Sequence, residues 1–170
     1  EIEKVSGHDR VQMVRLLPNY GGYDLAGVGD FLLAIQEANL AVIVQTCLED
    51  PRRHHPMAVV PSVASSAVVD MANDFPDLRV MIAGAKAAEL RNLADRILTL
   101  PNVYADTAQV DGLDVVKVLV DAGLGTRLVL GSHAPLFIPH AALARVVTDI
   151  EDDVAQVILK DNALRLLNEI

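Results

Sequence analysis

Tryptophan is absent from the sequence, and cysteine occurs once, as Cys47. Aromatic residues make up 4% of the 170 residues and hydrophobic residues 52%, so the core must be built from Val, Leu, Ile and Ala. This composition is typical of parallel strands that helices cover on both faces. A single cysteine excludes an intrachain disulfide, which favours a reducing compartment, and we expect a cytoplasmic protein.

Basic residues are scarce, since 14 Lys and Arg stand against 23 Asp and Glu and give a net charge of −9. A surface of this charge repels phosphate backbones, so nucleic acid is not an expected partner. The basic residues are scattered, and no apolar run approaches the roughly 20 residues that span a bilayer. We therefore expect a small-molecule substrate as the partner and no attachment to a membrane.

Short apolar runs alternate with amphipathic segments along the whole chain. The apolar runs predict strands at residues 11–17, 40–46, 78–83, 102–106 and 127–130. The amphipathic segments predict helices at residues 28–39, 62–75, 86–98, 113–122, 139–148 and 152–168. Ser62 is the expected N-cap of its helix, Gly123 ends another, and residues 20–23 are expected to form a loop.

Strict alternation of strands and helices implies parallel strands joined by right-handed crossovers. Two folds accommodate this pattern, an open doubly wound sheet and a closed barrel. No Gly-x-Gly-x-x-Gly follows the first strand, so the sequence does not support dinucleotide binding.

Six stretches, spread in order over nearly the whole chain, together resemble the amidohydrolase-related superfamily of metal-dependent hydrolases and decarboxylases. Five of them are similar to that family's fourth to eighth strands, and the last is similar to its closing helix. The fifth contains GSHAP, where the family has Gly-Ser-Asp-Ala-Pro. The stretches are residues 14–23, 40–46, 75–83, 102–107, 127–135 and 158–167.

The resemblance implies an α/β fold, a (β/α)8 TIM barrel of which only strands four to eight are represented. Residues 1–170 are then expected to be the C-terminal five β/α units of one barrel domain. A full barrel takes about 250 residues, and an open five-stranded fragment would expose two edges and its inner face. We therefore expect further sequence upstream; the alternative is a homo-oligomer that covers the opening.

Members of the superfamily hold divalent metal at the C-terminal ends of the strands, where the metal generates hydroxide near neutral pH. The histidine that the family places at the end of its fifth strand is Gln45 here, and the sixth-strand histidine is Gly84 or its neighbour Ala83. His133 takes the place of the eighth-strand aspartate. The family's first strand, which this sequence does not contain, carries a His-x-His pair that could hold a divalent metal such as zinc. A bound metal is therefore one expectation, and a site without metal is the other.

The loop after the second predicted strand carries Glu49, Arg52, His54 and His55. On the family's arrangement this loop lies on the catalytic face. His133 with His54 or His55 and Glu49 could form a metal or acid–base set. The alternative is a solvated charged surface, because adjacent histidines on a loop have no fixed ligand spacing.

We expect the residues at the strand ends to open onto a common rim. The candidate catalytic residues are His133, Asp106 and Glu49. The alternatives are that His133 only makes hydrogen bonds to the backbone at the mouth and that Asp106 caps a turn. Cys47 has a nucleophile interpretation, and the alternative, a small buried hydrophobic residue, is favoured.

The candidates for substrate binding are Asn19, Gln45, Lys86 and Arg52. Asn19 and Gln45 can bind a carbonyl group or water, but neither can act as a general base. Lys86 could pair with Asp106 across the mouth, or it could simply begin a surface helix.

Two functions compete. The first is a metal-dependent hydrolase, or less favourably a decarboxylase, that acts on a small organic substrate at the barrel mouth. The second is a catalytically inactive or metal-free relative that keeps the barrel as a binding or structural module. A metal-free active site around His133 and the His54/His55 loop is a third arrangement.

Overall fold

The computed structural model of the chain describes residues 2, 4, 7, 8, 10–49, 55–57 and 59–170, with position 149 described by its backbone alone. Within these residues one sheet holds β1 Met13–Leu16, β2 Ala41–Gln45, β3 Val80–Ala83, β4 Val103–Asp106 and β5 Leu128–Val129. All neighbouring strands pair in parallel. The predicted parallel arrangement is therefore confirmed, although each strand is shorter than the apolar run that predicted it.

The strand order follows the chain, β1-β2-β3-β4-β5. A doubly wound sheet changes direction at a switch point, and the described strands show no such change. Successive β/α units laid side by side in one direction form the wall of a barrel. The fold is α/β and has the topology of consecutive units of a β/α barrel.

Side chains along each strand alternate between the two faces of the sheet. On the outer face, Val44 and Ile82 belong to the larger hydrophobic cluster, which also contains helix residues. On the inner face, Tyr104 and Val129 pack in a separate, smaller cluster with Leu166 near the end of the chain. The helices therefore cover the outer face, as they do around a barrel.

The described helices are α1 Pro18–Gly21, α2 Gly29–Glu37, α3 Ser65–Asp74, α4 Ala87–Asn92, α5 Ala94–Thr99, α6 Val115–Asp121, α7 Pro139–Asp149, α8 Asp152–Gln156 and α9 Asn162–Leu166. The 3-10 turns are Leu25–Val28 and Leu124–Thr126. A π-helical segment, Val157–Asp161, joins α8 to α9, so the single helix predicted at residues 152–168 has three parts. None of the helices in the described ranges has both the length and the apolar content needed to cross a bilayer.

The prediction that Ser62 caps a helix is wrong. Helix α3 begins at Ser65, its N-cap is Ala64, and no side chain caps it. The Val63 N–H donates to the Thr46 carbonyl at 2.8 Å. This bond holds the chain beside the end of β2, so the helix starts later than its sequence pattern predicts.

Two other boundaries also differ from their predictions. Residues 20–23 were predicted as a loop, but Pro18 begins the short helix α1, and Gly22, with φ 70°, ends it. Proline suits the first turn because its φ is preset for a helix. The helix predicted at residues 86–98 is interrupted at Leu93, whose N–H contacts the carbonyls of both Glu89 and Leu90 in a tightened turn.

Helix α9, near the end of the chain, is hydrogen-bonded to the residues at the start of β5. Asn162 is fully buried, and its Nδ2 donates to the Gly125 and Leu128 carbonyls at 2.9 and 2.7 Å. Arg165 Nη1 donates to Asn162 Oδ1 at 2.9 Å. Asn162 and Arg165 thus serve packing and hydrogen bonding at this end, and the opposite ends of the strands are left for a site.

Candidate functional site

A cavity of about 380 Å³ lies where the strands end. Its polar lining contains Ser132 and four larger side chains, of which three were predicted as site residues and one was not. The four are Gln45, Asp106, His133 and Arg15. Met81, Leu130 and Leu136 supply the main apolar surface of the wall. We call this space the mouth cavity; its position matches that of active sites in β/α barrels.

Asp106 is the last residue of β4 and is only 8% exposed. Its Oδ1 accepts hydrogen bonds from the Gly84 N–H at 2.9 Å and the Ala108 N–H at 3.2 Å. Burial raises the pKa of the Asp106 carboxyl, although these two bonds and the charges of His133 and Arg15 oppose the rise. The carboxyl therefore keeps its proton to a higher pH than an exposed aspartate does.

His133 lies in the loop after β5 and is half-buried. Its backbone has φ 52°, in the left-handed region, and its carbonyl accepts hydrogen bonds from Leu136 at 3.0 Å and Phe137 at 3.2 Å. Its ring centroid lies 5.2 Å from that of Phe137. The turn and the ring contact hold the imidazole at the mouth, close enough to Asp106 for its charge to lower that carboxyl's pKa.

Gly131 allows the loop to pass close to Asp106. A Cβ on Gly131 would lie 2.9 Å from Asp106 Cβ and 3.0 Å from Ala108 Cβ, which no real side chain tolerates. The Gly131 N–H donates to Thr107 Oγ1 at 3.1 Å. The close approach brings the loop that carries His133 against the end of β4.

Arg15 was missed by the sequence reasoning, which treated it as part of an apolar run. It pairs in register with Ile43 in the neighbouring strand, and its Nη1 donates to Gln45 Oε1 at 2.6 Å. Gln45 is 5% exposed, and its Nε2 donates to the Cys47 carbonyl at 2.8 Å. Strand alternation could have found Arg15, because Leu16 faces the outer core and places its neighbour inside.

Gly84 is one of the two residues, with its neighbour Ala83, that match the family's sixth-strand histidine by resemblance. Its φ is 76°, and a Cβ there would lie 2.6 Å from Gln45 Nε2 and 2.8 Å from the Cys47 carbonyl oxygen. Gln109 Nε2 also donates to that carbonyl, at 3.0 Å. The space that a ligand side chain would need is therefore filled by two amide groups and a carbonyl.

Lys86 and Asn19 lie outside the lining of the mouth cavity. Lys86 is the N-cap of α4, and its Nζ donates to Gln109 Oε1 at 3.4 Å rather than to Asp106. Asn19 is exposed, and its Nδ2 donates to the Pro61 carbonyl at 2.9 Å. Asn19 instead lines a smaller neighbouring cavity together with Gln45. The hypothesis of an Asp106–Lys86 pair is not realised in this structure.

The loop after β2 is described only in part. Glu49 and His55 lie outside the lining of the mouth cavity, and His55 is exposed, with Nδ1 accepting from the Met57 N–H at 3.2 Å. Arg52 and His54 fall outside the described residues. Cys47 is buried, and its Sγ donates to the Glu49 carbonyl at 3.1 Å, as suits the structural interpretation.

The described donors do not fit a divalent metal. Within the described ranges, no group of three or more His, Cys, Asp or Glu residues is placed to hold one. His133 and Asp106 offer two donors, but Gln45 already accepts from Arg15 and Gly84 has no side chain. The Arg15 guanidinium adds a positive charge to the same cavity, where a second cation would be repelled.

The sequence profile of the family described as Amidohydrolase matches residues 1–168. The chain therefore belongs to the amidohydrolase family. Its sequence gives no match among curated proteins.

Solved structures share the fold at low sequence identity. The 5-carboxyvanillate decarboxylase of Sphingomonas paucimobilis aligns with a TM-score of 0.74 and 15% identity over 98% of this chain and 61% of its own. A dihydroorotase of Saccharomyces cerevisiae in complex with 5-fluoroorotic acid aligns with a TM-score of 0.67 and 15% identity, over 98% of this chain and 63% of its own. A third structure is a dihydroxybenzoic acid decarboxylase of a Polaromonas strain with bound manganese and the inhibitor 2-nitroresorcinol. It aligns with a TM-score of 0.55 and 15% identity, over 82% of this chain and 53% of its own. The chain thus spans about three fifths of the first two structures' length, and the likeness supports the partial barrel.

Proposed function

We propose that the chain forms the C-terminal part of an amidohydrolase-family barrel domain that acts on a small organic substrate in the mouth cavity. Hydrolysis is the reaction that we assign first, with His133 and Asp106 as the proton-transferring groups. The observation that carries the proposal is that residues at or just after the ends of three strands, with Arg15, line one cavity. Active sites of β/α barrels draw their residues from several strand ends on this same face.

Asp106 and His133 suit acid–base chemistry for different physical reasons. Burial raises the Asp106 pKa, so its carboxyl can hold and release a proton closer to neutral pH than an ordinary aspartate. His133 is half-buried and can exchange protons with a substrate or with solvent. In hydrolysis, one of the two takes a proton from the attacking water and the other gives a proton to the leaving group.

Gln45 has a positioning role in this proposal. Its Oε1 accepts from Arg15 and its Nε2 donates to the Cys47 carbonyl, so the buried amide orients the guanidinium. None of these roles requires a metal, and no three His, Cys, Asp or Glu side chains in the described residues are placed to hold one.

A binding module without turnover is the second candidate. Gly84 and Ala83 favour it, because neither of the two residues that match the family's sixth-strand ligand has a ligating side chain, and Gly84 has no room for one. On this alternative the mouth cavity still takes a small organic molecule, but nothing is converted.

The proposal is tested by incubating the complete protein with a panel of small amides, lactones and aryl carboxylates and measuring conversion by mass spectrometry. We expect at least one compound to be converted, and dialysis against a chelator to leave the rate unchanged. His133→Ala and Asp106→Asn should each lower the rate about a hundredfold or more. His140→Ala, an exposed histidine on α7, is the matched control and should leave the rate intact.

Three results would count against this proposal. Conversion that disappears with the chelator and returns with zinc would assign the chemistry to a metal. Conversion that survives in both His133→Ala and Asp106→Asn would remove these residues from the reaction. Conversion of none of the compounds would favour the binding module.

A further inference from the structure

We propose that a second cavity, beside the mouth cavity, binds the phosphate group of a small phosphate monoester through Lys86 and Arg145. This space, which we call the loop cavity, has a volume of about 440 Å³ and lies between the loops after β4 and β5. Lys86, Gln109 and Arg145 line the loop cavity and not the mouth cavity. The assignment goes beyond the proposed function, because it does not depend on what the mouth cavity binds.

The walls of the loop cavity come from neighbouring β/α units that this chain contains. Lys86 follows β3, Asp111 belongs to the loop after β4, and Ile138 belongs to the loop after β5. Strands β4 and β5 pair directly, and α7, which carries Arg145, packs against α6, the helix that follows β4. The loop cavity therefore lies between two adjacent units, whereas the mouth cavity lies on the open inner side of the sheet.

Lys86 is anchored by a buried amide. Its Nζ donates to Gln109 Oε1 at 3.4 Å, and Gln109 is only 4% exposed. Gln109 Nε2 donates in turn to the Cys47 carbonyl at 3.0 Å, so the acceptor for Lys86 is fixed inside the protein. An ammonium group carries three N–H donors. Gln109 is its partner within the described residues, which leaves two of these donors for a ligand.

Arg145 reaches the loop cavity from helix α7. Its Nη1 donates to the Val110 carbonyl and lies 3.5 Å from the Thr107 carbonyl oxygen. In the described part of the chain, these contacts occupy one of the three guanidinium nitrogens and tie the group to the loop after β4. A guanidinium offers five N–H donors in a planar fork, and the donors that remain match the oxygens of a phosphate.

Neither Lys86 nor Arg145 forms an ion pair within the described ranges, although the whole chain has 14 basic and 23 acidic residues. Asp111 also lines the loop cavity and is exposed, so two positive charges stand against one negative charge. A phosphate monoester carries a charge of about −1.5 to −2 at pH 7 and matches such a pair of cations. Barrels of this type frequently bind phosphate with the loops after their seventh and eighth strands, which β4 and β5 resemble.

The rest of the loop cavity suits a compact apolar body. Its volume lies within the range of ligand pockets, roughly 300–1,000 Å³. Val110 is fully buried, whereas Leu136 and Ile138 line the cavity and are largely exposed. Exposed apolar side chains grouped beside a concavity mark a binding site more often than chance exposure does. A ring or short chain attached to the phosphate would cover these side chains.

The test measures the binding of phenyl phosphate to the complete protein by isothermal titration calorimetry. Inorganic phosphate and phenol are the matched probes, because each has only one of the two parts of phenyl phosphate. We expect phenyl phosphate to bind about tenfold or more tightly than inorganic phosphate, since burial of an apolar ring is worth about that factor. Phenol should show no binding. The affinity for phenyl phosphate should rise between pH values of about 5 and about 7.5, as the phosphate takes its second negative charge.

Variants of the two basic residues test the donors separately. Lys86→Gln should lower the affinity for phenyl phosphate about tenfold or more, and Arg145→Gln should do the same. Lys86→Arg keeps the charge and should retain most of the affinity. Arg91→Gln, an exposed arginine on α4, is the matched control and should bind as the wild type does. Circular dichroism checks the fold of each variant, and if Arg145→Gln unfolds, Lys86→Gln and Lys86→Arg decide the matter.

A variant of the mouth cavity shows which of the two cavities holds the phosphate. Arg15→Gln should bind phenyl phosphate within about twofold of the wild type, because the two sites are separate. Absence of binding in the wild type, or equal affinity in Lys86→Gln and the wild type, would remove the phosphate site. Affinity lost in Arg15→Gln alone would place the phosphate in the mouth cavity, and affinity lost in both Arg15→Gln and Lys86→Gln would indicate one ligand that spans both cavities. Either result would overturn a separate site. Failure of the phosphate site leaves the proposed function standing, because conversion in the mouth cavity does not involve Lys86 or Arg145.

Discussion

The backbone N–H of Gly84 donates a hydrogen bond to Asp106 Oδ1 at 2.9 Å. This bond ties the residue after β3 to the end of β4 and fixes the carboxyl at the mouth. Gly84 reaches Asp106 in a left-handed conformation, φ 76°, which a residue with a side chain rarely adopts. The same glycine that cannot bind a metal therefore organises the carboxyl beside it.

The raised pKa of Asp106 predicts how stability depends on pH. From the ordinary value of 3.8 up to the raised pKa of the folded state, the unfolded chain loses this proton while the folded chain keeps it. The unfolded state then binds fewer protons, so the contribution of Asp106 is fully present below 3.8 and is lost as pH rises through the folded pKa. The loss is about 1.4 kcal/mol for each unit of pKa difference.

Urea unfolding at a series of pH values from about 4 to about 8 checks this sign. Asp106→Asn keeps an acceptor for the two N–H groups and removes the titration, so its free energy of unfolding should rise relative to the wild type as pH increases. Asp77→Asn, at an exposed position, is the control and should follow the wild type. A free energy of unfolding of Asp106→Asn that falls relative to that of the wild type as pH rises would contradict the burial of an ionisable carboxyl.

Substitution of Gly84 tests whether the mouth cavity still has space for a metal-binding side chain at this position or whether neighbouring groups fill that space. Gly84→Ala should lower the free energy of unfolding by about 2 kcal/mol or more, because it adds a side chain at positive φ against Gln45 and the Cys47 carbonyl. Gly84→His should destabilise at least as much and should not create a zinc site. Gly27→Ala is the control, since a Cβ there meets nothing within 4 Å. Titration with zinc and thermal unfolding measure both effects, and a stable Gly84→His protein that binds zinc would show that the space exists.

Asn162 should be one of the polar residues on which the fold depends most. Its side chain donates to two carbonyls of the segment that leads into β5 and accepts from Arg165, all without exposure to solvent. Asn162→Ala leaves buried carbonyls without a donor and should cost about 1–3 kcal/mol. Asn92→Ala, at the exposed end of α4, should change stability by less than about 0.5 kcal/mol. Equal stability losses in the two variants, measured by urea unfolding, would contradict the role of Asn162.

The sequence predicted the parallel strands whose ends carry most of the candidate site residues. Alternating apolar runs and amphipathic segments indicated parallel strands, and parallel strands finish at one edge of the sheet. That geometry is sufficient to bring Gln45, Asp106 and His133 to one cavity, as the structure confirms. The strand order added what periodicity cannot give, the distinction between a barrel wall and a doubly wound sheet.

The remaining details depend on contacts between residues far apart in the chain. Asn19 follows β1 as expected, but its side chain donates to the Pro61 carbonyl and lines a smaller cavity beside Gln45 rather than the mouth cavity. Lys86 likewise contacts Gln109, which the sequence analysis did not single out. Arg15 was hidden in an apolar run, although its face of the strand could have been derived from that of Leu16. Local sequence patterns predict which helix or strand a residue belongs to, but they do not predict which distant groups a long polar side chain contacts.

Elemental analysis of the complete protein, purified without chelator, tests most directly whether the mouth works without a metal. We predict far less than one zinc, manganese or other divalent ion per chain, and no change in that content on His133→Ala. About one tightly bound ion per chain that is lost in His133→Ala would contradict the account, because it would place a metal beside Arg15 in the mouth cavity.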